Sequence, residues 1–259
     1  MNQNQRRRWL IHALLEEMPQ YQYPVFPYTA DRQWRLLRSL MNVRPPMPVS
    51  EEFLQVQDAF LQEMTAGKGI VDADTLPPCA GNERLVLWQG DITTLRCDAI
   101  VNAANSQMLG CFSPCHGCID NIIHTMSGVQ LRLACHEIMQ EQGHEEPTGQ
   151  AKITPGFNLP AKYVLHTVGP IITGDVTPEA DALLASCYRS CLELAEKNGL
   201  RSVAFCCIST GVFSFPADQA AGIAVRTVEE YLRKETGIRR VIFNVFKDSD
   251  LEIYQGLLS

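Results

Sequence analysis

From Leu85 onward, short apolar stretches alternate with longer amphipathic ones, and this alternation constrains the fold more than any other feature of the chain. Strands are predicted at Leu85–Gln89, Ala99–Ala103, Ala151–Thr154, Tyr163–Val168, Ser202–Ile208 and Arg240–Val245. Helices are predicted at 119–142, 178–198, 217–236 and 249–257. The run Val203-Ala-Phe-Cys-Cys-Ile208 does not alternate apolar with polar, so both faces of that strand must be covered. Strands of this kind interleaved with helices give an α/β fold of three layers. In such sheets ligands bind beyond the carboxyl ends of the strands, so the informative residues are those that follow each strand.

The first 66 residues read differently. Three helix-like stretches lie near 6–17, 31–41 and 50–65, with apolar stripes formed by Trp34, Leu36, Leu37 and Leu40 and by Phe53, Leu54, Val56, Phe60, Leu61 and Met64. Ser50 stands as N-cap before Glu51-Glu52, and Pro24, Pro27, Pro45, Pro46 and Pro48 separate the stretches. Residues 67–83, with three glycines and two prolines, read as a linker. The expected division is a helical N-terminal extension and linker over 1–80 and an α/β domain over 81–259.

Charge narrows the partners. The net charge is −7, and neither the first 80 residues nor the remainder is net positive, so no field for nucleic-acid binding exists. No apolar run approaches the roughly 20 residues of a membrane span. Arg6-Arg7-Arg8 followed by Trp9 to Leu15 resembles a signal peptide only briefly, since it runs into Glu16-Glu17-Met18-Pro19 without a small-residue cleavage site. The expectation is a cytoplasmic protein without membrane or nucleic-acid partners, with Arg6–Arg8 on a solvated helix face. Of the ten cysteines, seven (Cys79, Cys97, Cys135, Cys187, Cys191, Cys206 and Cys207) read as reduced thiols in or near the core. Cys111, Cys115 and Cys118 crowd around His116 and require another explanation.

Four segments follow strands. Gly90-Asp91-Ile92-Thr93 reads either as a ligand-facing loop or as a turn with an Asp N-cap. Val101-Asn102-Ala103-Ala104-Asn105-Ser106 suits close backbone approach to a ligand, or a capped turn. Met108 to Asn121 is a long loop that opens a helix, and Ser209-Thr210-Gly211-Val212-Phe213-Ser214-Phe215-Pro216 joins the most apolar strand to the next helix. A glycine-containing loop feeding a helix N-terminus is a natural pyrophosphate cradle, because amides and macrodipole both face the anion.

Together, GDIT, VNAANS, IDNIIH, His166-Thr-Val-Gly-Pro170 and ISTGVFSFP resemble the macrodomain family, in that family's order, over about residues 84–258. The resemblance implies a three-layer α/β/α macrodomain with a central mixed sheet, and ADP-ribose as ligand. It implies that Asp91 reads the adenine amino group with Ile92 beside it. The 209–215 loop (Ser209, Thr210, Gly211, Val212 and Phe213 among it) and the helix start near 117–121 clamp the diphosphate. Phe213 lies against the distal ribose, Asn105 contacts its hydroxyls, and Phe246 stacks on adenine. It further implies hydrolysis of mono-ADP-ribose from acidic side chains, with Asp120 at the position of the catalytic aspartate. Ser214 departs from the family where glycine is common, and the usual glycine run is replaced by Cys-His-Gly-Cys.

Cys111-x4-His116-x-Cys118 is similar to the zinc-dependent macrodomains encoded beside a sirtuin-type ADP-ribosyltransferase. Two thiolates and an imidazole are three ligands of zinc-compatible softness, and a catalytic zinc ion (Zn2+, one per chain) takes three protein ligands and an open position. Cys115 as a fourth ligand would instead close a structural site, and reduced thiols without metal are a third reading. The resemblance implies a lipoyl-carrier protein, similar to the glycine-cleavage H protein, as substrate. His124, one helical turn from Asp120, reads as a satisfied structural histidine, with a general base as the other reading. A non-catalytic ADP-ribose reader with structural zinc and an assembly protein docking through its N-terminal helices are the alternatives to a hydrolase.

Overall fold

The computed structural model of the chain describes residues 1–21 and 26–259. Pro24, one of the predicted helix stops, lies outside them. Three helices come first: α1 (Gln3–Glu17), α2 (Ala30–Val43) and α3 (Glu51–Lys68). Each begins on a side-chain cap: Asn2 forms a capping box with Gln5, Thr29 accepts from Arg32, and Ser50 accepts from Phe53. The three pack around their own apolar core, which includes Leu10, Ile11, Leu14, Leu37, Leu40, Phe60 and Leu61. Arg7 is not on the solvated face expected for Arg6–Arg8. It is buried, with its guanidinium on Gln33 Oε1 at 3.0–3.1 Å, while Arg6 pairs with Glu63.

The predicted linker contains structure. Strand β1 (Val71–Asp72) pairs in parallel with β3 (Leu95–Arg96), next to the short helical turn Ile92–Thr94. The main sheet is formed by β2 (Leu85–Gln89), β4 (Ala99–Ala104), β5 (Ala151–Pro155), β6 (Tyr163–Val168), β7 (Ser202–Phe205) and β8 (Arg240–Val245). Its order is β2-β8-β7-β4-β6-β5, parallel throughout except for antiparallel β5 at one edge. The predicted strand 202–208 ends at Phe205, and Cys206 and Cys207 follow it.

Helices α4 (Ile119–Ser127) and α5 (Val129–Gln142) pack together beside β4 and β5, whereas α6 (Pro178–Lys197), α7 (Ala217–Leu232) and α8 (Asp248–Leu257) pack in succession. The strand order requires this split. The chain runs one way along the sheet from β4 to β6 and the other way from β6 through β7 to β8, so right-handed crossovers put the two helix groups on opposite faces. Strands covered on both faces explain the apolar runs: Ile100, Val101, Val164, Leu165, Val241 and Ile242 are fully buried.

The helix predicted over 119–142 is two helices. Gly128 breaks it at φ +99°, and the Val129 amide donates to Gln57 Oε1 of α3 at 3.0 Å instead of to a helical carbonyl. All ten cysteines are free, with Cys97, Cys135, Cys187, Cys191 and Cys206 in the core.

Candidate functional site

Four neighbouring parallel strands, β2, β8, β7 and β4, end on the same edge of the sheet, so the loops after them lie side by side. These loops carry Asp91, Phe246, residues 206–216, and residues 105–118.

Asp91 caps the Ile92–Thr94 turn. Its Oδ1 accepts from the Thr93 amide at 3.0 Å and from the Thr93 hydroxyl at 2.6 Å, and Lys68 at the end of α3 pairs with Oδ2 at 2.9 Å. Burial opposes ionisation, but Thr93 and Lys68 outweigh it and hold this carboxyl below the usual range. The turn reading is therefore correct, and it leaves the ligand-facing reading open. Ile92 is buried beside it. Phe246, immediately after β8, is 76% exposed, and its carbonyl accepts from Gln89 of β2. The Gly90 amide donates to Val245, so Phe246 and Asp91 flank the same strand pair.

The loop after β7 turns tightly on itself. Phe215 donates its amide to the Ser209 carbonyl at 3.0 Å and Ser214 to Gly211 at 3.1 Å, with Ser209 (φ +65°) and Ser214 (φ +59°) both left-handed. Ser214 thus adopts, as a non-glycine, the conformation for which glycine is preferred. The Ser209 hydroxyl is buried without a partner, and Val212 is 71% exposed. Helix α7 starts immediately afterwards with no side-chain cap, which leaves its first amides free to face a ligand. Phe213 is held through its carbonyl by Ile172.

Asn105 closes the next loop. Its Oδ1 accepts from Gln107 at 3.1 Å, and its Nδ2 donates to the Gly110 carbonyl at 3.2 Å. Gly110 sits at φ +78°, where a Cβ would come within 2.8 Å of the His124 ring. Cys111, His116 and Cys118 follow, half-buried, with their three ligand atoms all within 4.8 Å of one another. Tetrahedral zinc with bonds of about 2.3 Å places its sulfurs about 3.8 Å apart, so these donors stand within about 1 Å of a coordinating set. Cys115 is not among them. At φ +53° it turns its Sγ to Ser39 Oγ (3.2 Å) and the Arg35 carbonyl (3.3 Å) of α2. The donor set therefore fits zinc with three protein ligands and no fourth thiol.

Cys118 is also the N-cap of α4, its sulfur accepting from the Asn121 amide at 3.4 Å. Burial pushes this thiol up to about 12. Asp120, two residues on, points inward. Its Oδ1 accepts from Asn102 Nδ2 at 2.8 Å and lies 3.5 Å from His124 Nε2, and burial pushes the carboxyl up to about 6. His124 is buried, and neither ring nitrogen has a hydrogen-bond partner, so the expectation of a satisfied histidine fails. With Cys135 and His166 it forms a second close group, in which burial holds His166 at about 3, with Asn102 on Nδ1 and Thr154 on Nε2.

Lys68 and Arg38 were not singled out from the sequence, and Asn102 and Asn121 were named only within longer segments, without a role for their side chains. Asn121 had a local signal, three residues after Cys118 at the helix start. Lys68 and Arg38 had none, because they reach the site across the fold.

A family model for the Macro domain matches residues 101–224. A protein of Treponema medium named protein-ADP-ribose hydrolase is 58% identical over 261 residues, covering all of both chains. A Staphylococcus aureus protein of the same name is 53% identical over 96% of this chain and 94% of its own. The solved Trypanosoma brucei macrodomain in complex with ADP-ribose superposes with a TM-score of 0.67 at 29% identity, covering 90% of this chain and 97% of that one. On this full-length kinship and the shared sheet, the chain belongs to the macrodomain family.

Proposed function

We propose that this protein is a protein-ADP-ribose hydrolase that uses zinc held by Cys111, His116 and Cys118 to release ADP-ribose from modified acidic side chains. The observation that carries the reading is its end-to-end likeness to proteins of that name, at 58% and 53% identity. The donor triad, in the loop after β4 at the same sheet edge, supports the metal.

In this reading Asp91 accepts from the adenine amino group, and Phe246 offers an exposed ring against the base. The backbone of Ser209, Thr210, Gly211, Val212 and Phe213 and the uncapped start of α7 donate to the diphosphate. Asn105 orients the distal ribose hydroxyls, and Asp120, aimed by Asn102, accepts or returns the proton of the attacking water. Zinc, when bound, supplies a Lewis acid and a template for oxygen groups. The bond broken joins C1″ of ADP-ribose to a carboxylate oxygen, and water contributes hydroxide to C1″ and a proton to the departing carboxylate. Such an ester is labile, so fixing the water and ribose in register supplies much of the acceleration.

The motif resemblance supports a lipoyl-carrier substrate protein and a sirtuin-type transferase as the opposing enzyme. Among the described residues no helix is long and apolar enough to cross a membrane.

One observation favours a second reading. The Asp120 side chain is only 7% exposed and turned toward Asn102, as in a reader that binds ADP-ribose without cleaving it. Incubation with a protein mono-ADP-ribosylated on acidic side chains separates the two. Free ADP-ribose appearing with turnover supports the hydrolase; ADP-ribose bound calorimetrically without release supports the reader.

A further inference from the structure

We infer that Arg38 of α2 is a positioning residue for the metal-binding loop, acting with Asn121, so that the N-terminal helices form part of the site. The inference rests on Cys111, His116 and Cys118 being the zinc ligands.

The Arg38–Asn121 pair touches all three ligand residues. Arg38 Nη2 donates to the His116 carbonyl at 2.7 Å and to Asn121 Oδ1 at 2.7 Å, and Arg38 Nε donates to the same Oδ1 at 3.3 Å. Asn121 is fully buried, and its Nδ2 donates to the carbonyls of Cys111 (3.3 Å) and Ser113 (2.9 Å). Its own amide donates to Cys118 Sγ at 3.4 Å. The guanidinium and the carboxamide therefore fix the main chain at the first two ligands, and the Asn121 backbone amide meets the sulfur of the third.

The geometry of the pair matters. Asn121 Oδ1 receives the Arg38 donors, which obliges Nδ2 to face the loop carbonyls. Without Arg38 the amide is free to turn over, and the loop then loses both its external hold at His116 and its internal hold at Cys111. Lys cannot reproduce the planar fork that spans Oδ1 and the His116 carbonyl. The loop has little rigidity of its own, since it contains no helix or strand between Asn105 and Cys118 and carries left-handed residues at Met108, Gly110 and Cys115. Outer contacts that orient ligands typically change metal affinity by about 10–100-fold.

The test uses full-length wild type, Arg38→Ala and Arg38→Lys, with Arg6→Ala as the control, because Arg6 pairs with Glu63 within the same helical unit and touches none of the loop. Zinc affinity is read by competition with a chromogenic chelator, ligand geometry by the visible bands of the cobalt(II) form, and folding by thermal melting. Arg38→Ala is expected to bind zinc about tenfold more weakly, with shifted cobalt bands and a melting midpoint close to that of Arg6→Ala, which keeps wild-type affinity. Arg38→Lys is expected to fall between. Wild-type zinc affinity and cobalt bands in Arg38→Ala overturn the inference, as does an equal loss of zinc in Arg6→Ala. If Arg38→Ala does not fold, Arg38→Lys decides by the same readouts: weakened zinc and shifted bands support the inference, wild-type values overturn it. A wild-type protein that binds neither metal overturns the zinc reading itself, a result distinct from a zinc-binding wild type with an unaffected Arg38→Ala.

Discussion

Cys118 is both a member of the donor triad and the residue whose sulfur caps α4. Two substitutions separate the roles. Cys118→Ser keeps an oxygen acceptor that suits an N-cap, so in zinc-free buffer its stability should stay within about 0.5 kcal/mol of wild type, while it no longer binds zinc. Cys118→Ala should lose both the zinc and about 1 kcal/mol of stability. Denaturant melts and metal analysis on the two variants check this; zinc retained in Cys118→Ser contradicts the ligand assignment. Asp120→Ala should abolish release of ADP-ribose while leaving bound zinc in place, measured by product assay and metal content. The donor triad was legible in the sequence because three soft ligands within eight residues are close enough to meet one ion, although what holds the loop around them comes from α2 and Asn121. The hydrogen-bond partner of Asp120 was not, since Asn102 lies on β4 beside His166 of β6 in a register that no local pattern sets.

Among the elements, the strands were the most legible, because a buried parallel strand must be apolar on both faces. Three of them coincide with the sequence reading end to end: Leu85–Gln89, Tyr163–Val168 and Arg240–Val245. The break at Gly128 was hidden for a tertiary reason. The residues on either side continue a helical pattern, and the bond that replaces the helical one comes from Gln57, far away in sequence. Asp98 illustrates how strand starts are pinned. Its carboxylate accepts from the amides of Arg201 (2.8 Å) and Ser202 (3.1 Å) ahead of and within β7, and from Lys162 (2.7 Å) ahead of β6. Burial opposes ionisation of Asp98, but Lys162 and the two amides outweigh it and hold the carboxyl below its usual range. A carboxyl depressed in the folded state stabilises the fold above the unfolded value of about 3.9 and loses that contribution as pH falls through it toward the folded value. Asp98→Asn should therefore cost about 1–2 kcal/mol at pH 7, with the gap from wild type closing below about pH 4. Urea melts across that range check it; a gap independent of pH contradicts the account.

At the scale of the molecule, the N-terminal helices have their own apolar core yet are tied to the α/β layers at several points. Val129 of α5 packs into that core, Arg132 donates to the carbonyls of Met41 and Arg44 as well as Leu109, and Lys68 reaches Asp91. Leu61→Ala, at a fully buried position of that core, should cost about 2–5 kcal/mol. If the ties couple the two cores, it should lower one shared thermal transition; a separate early transition in calorimetry contradicts the coupling. The sequence showed the helices but not where they sit, because contacts such as Arg38 to His116 span 78 residues and follow from packing alone. As a whole assembly, the protein is proposed to be a hydrolase that needs its metal. Release of free ADP-ribose from a protein modified on acidic side chains, followed with enzyme as purified, stripped by chelator and resupplied with zinc, tests it most directly. Turnover should disappear on stripping and return with zinc; turnover indifferent to stripping contradicts metal dependence.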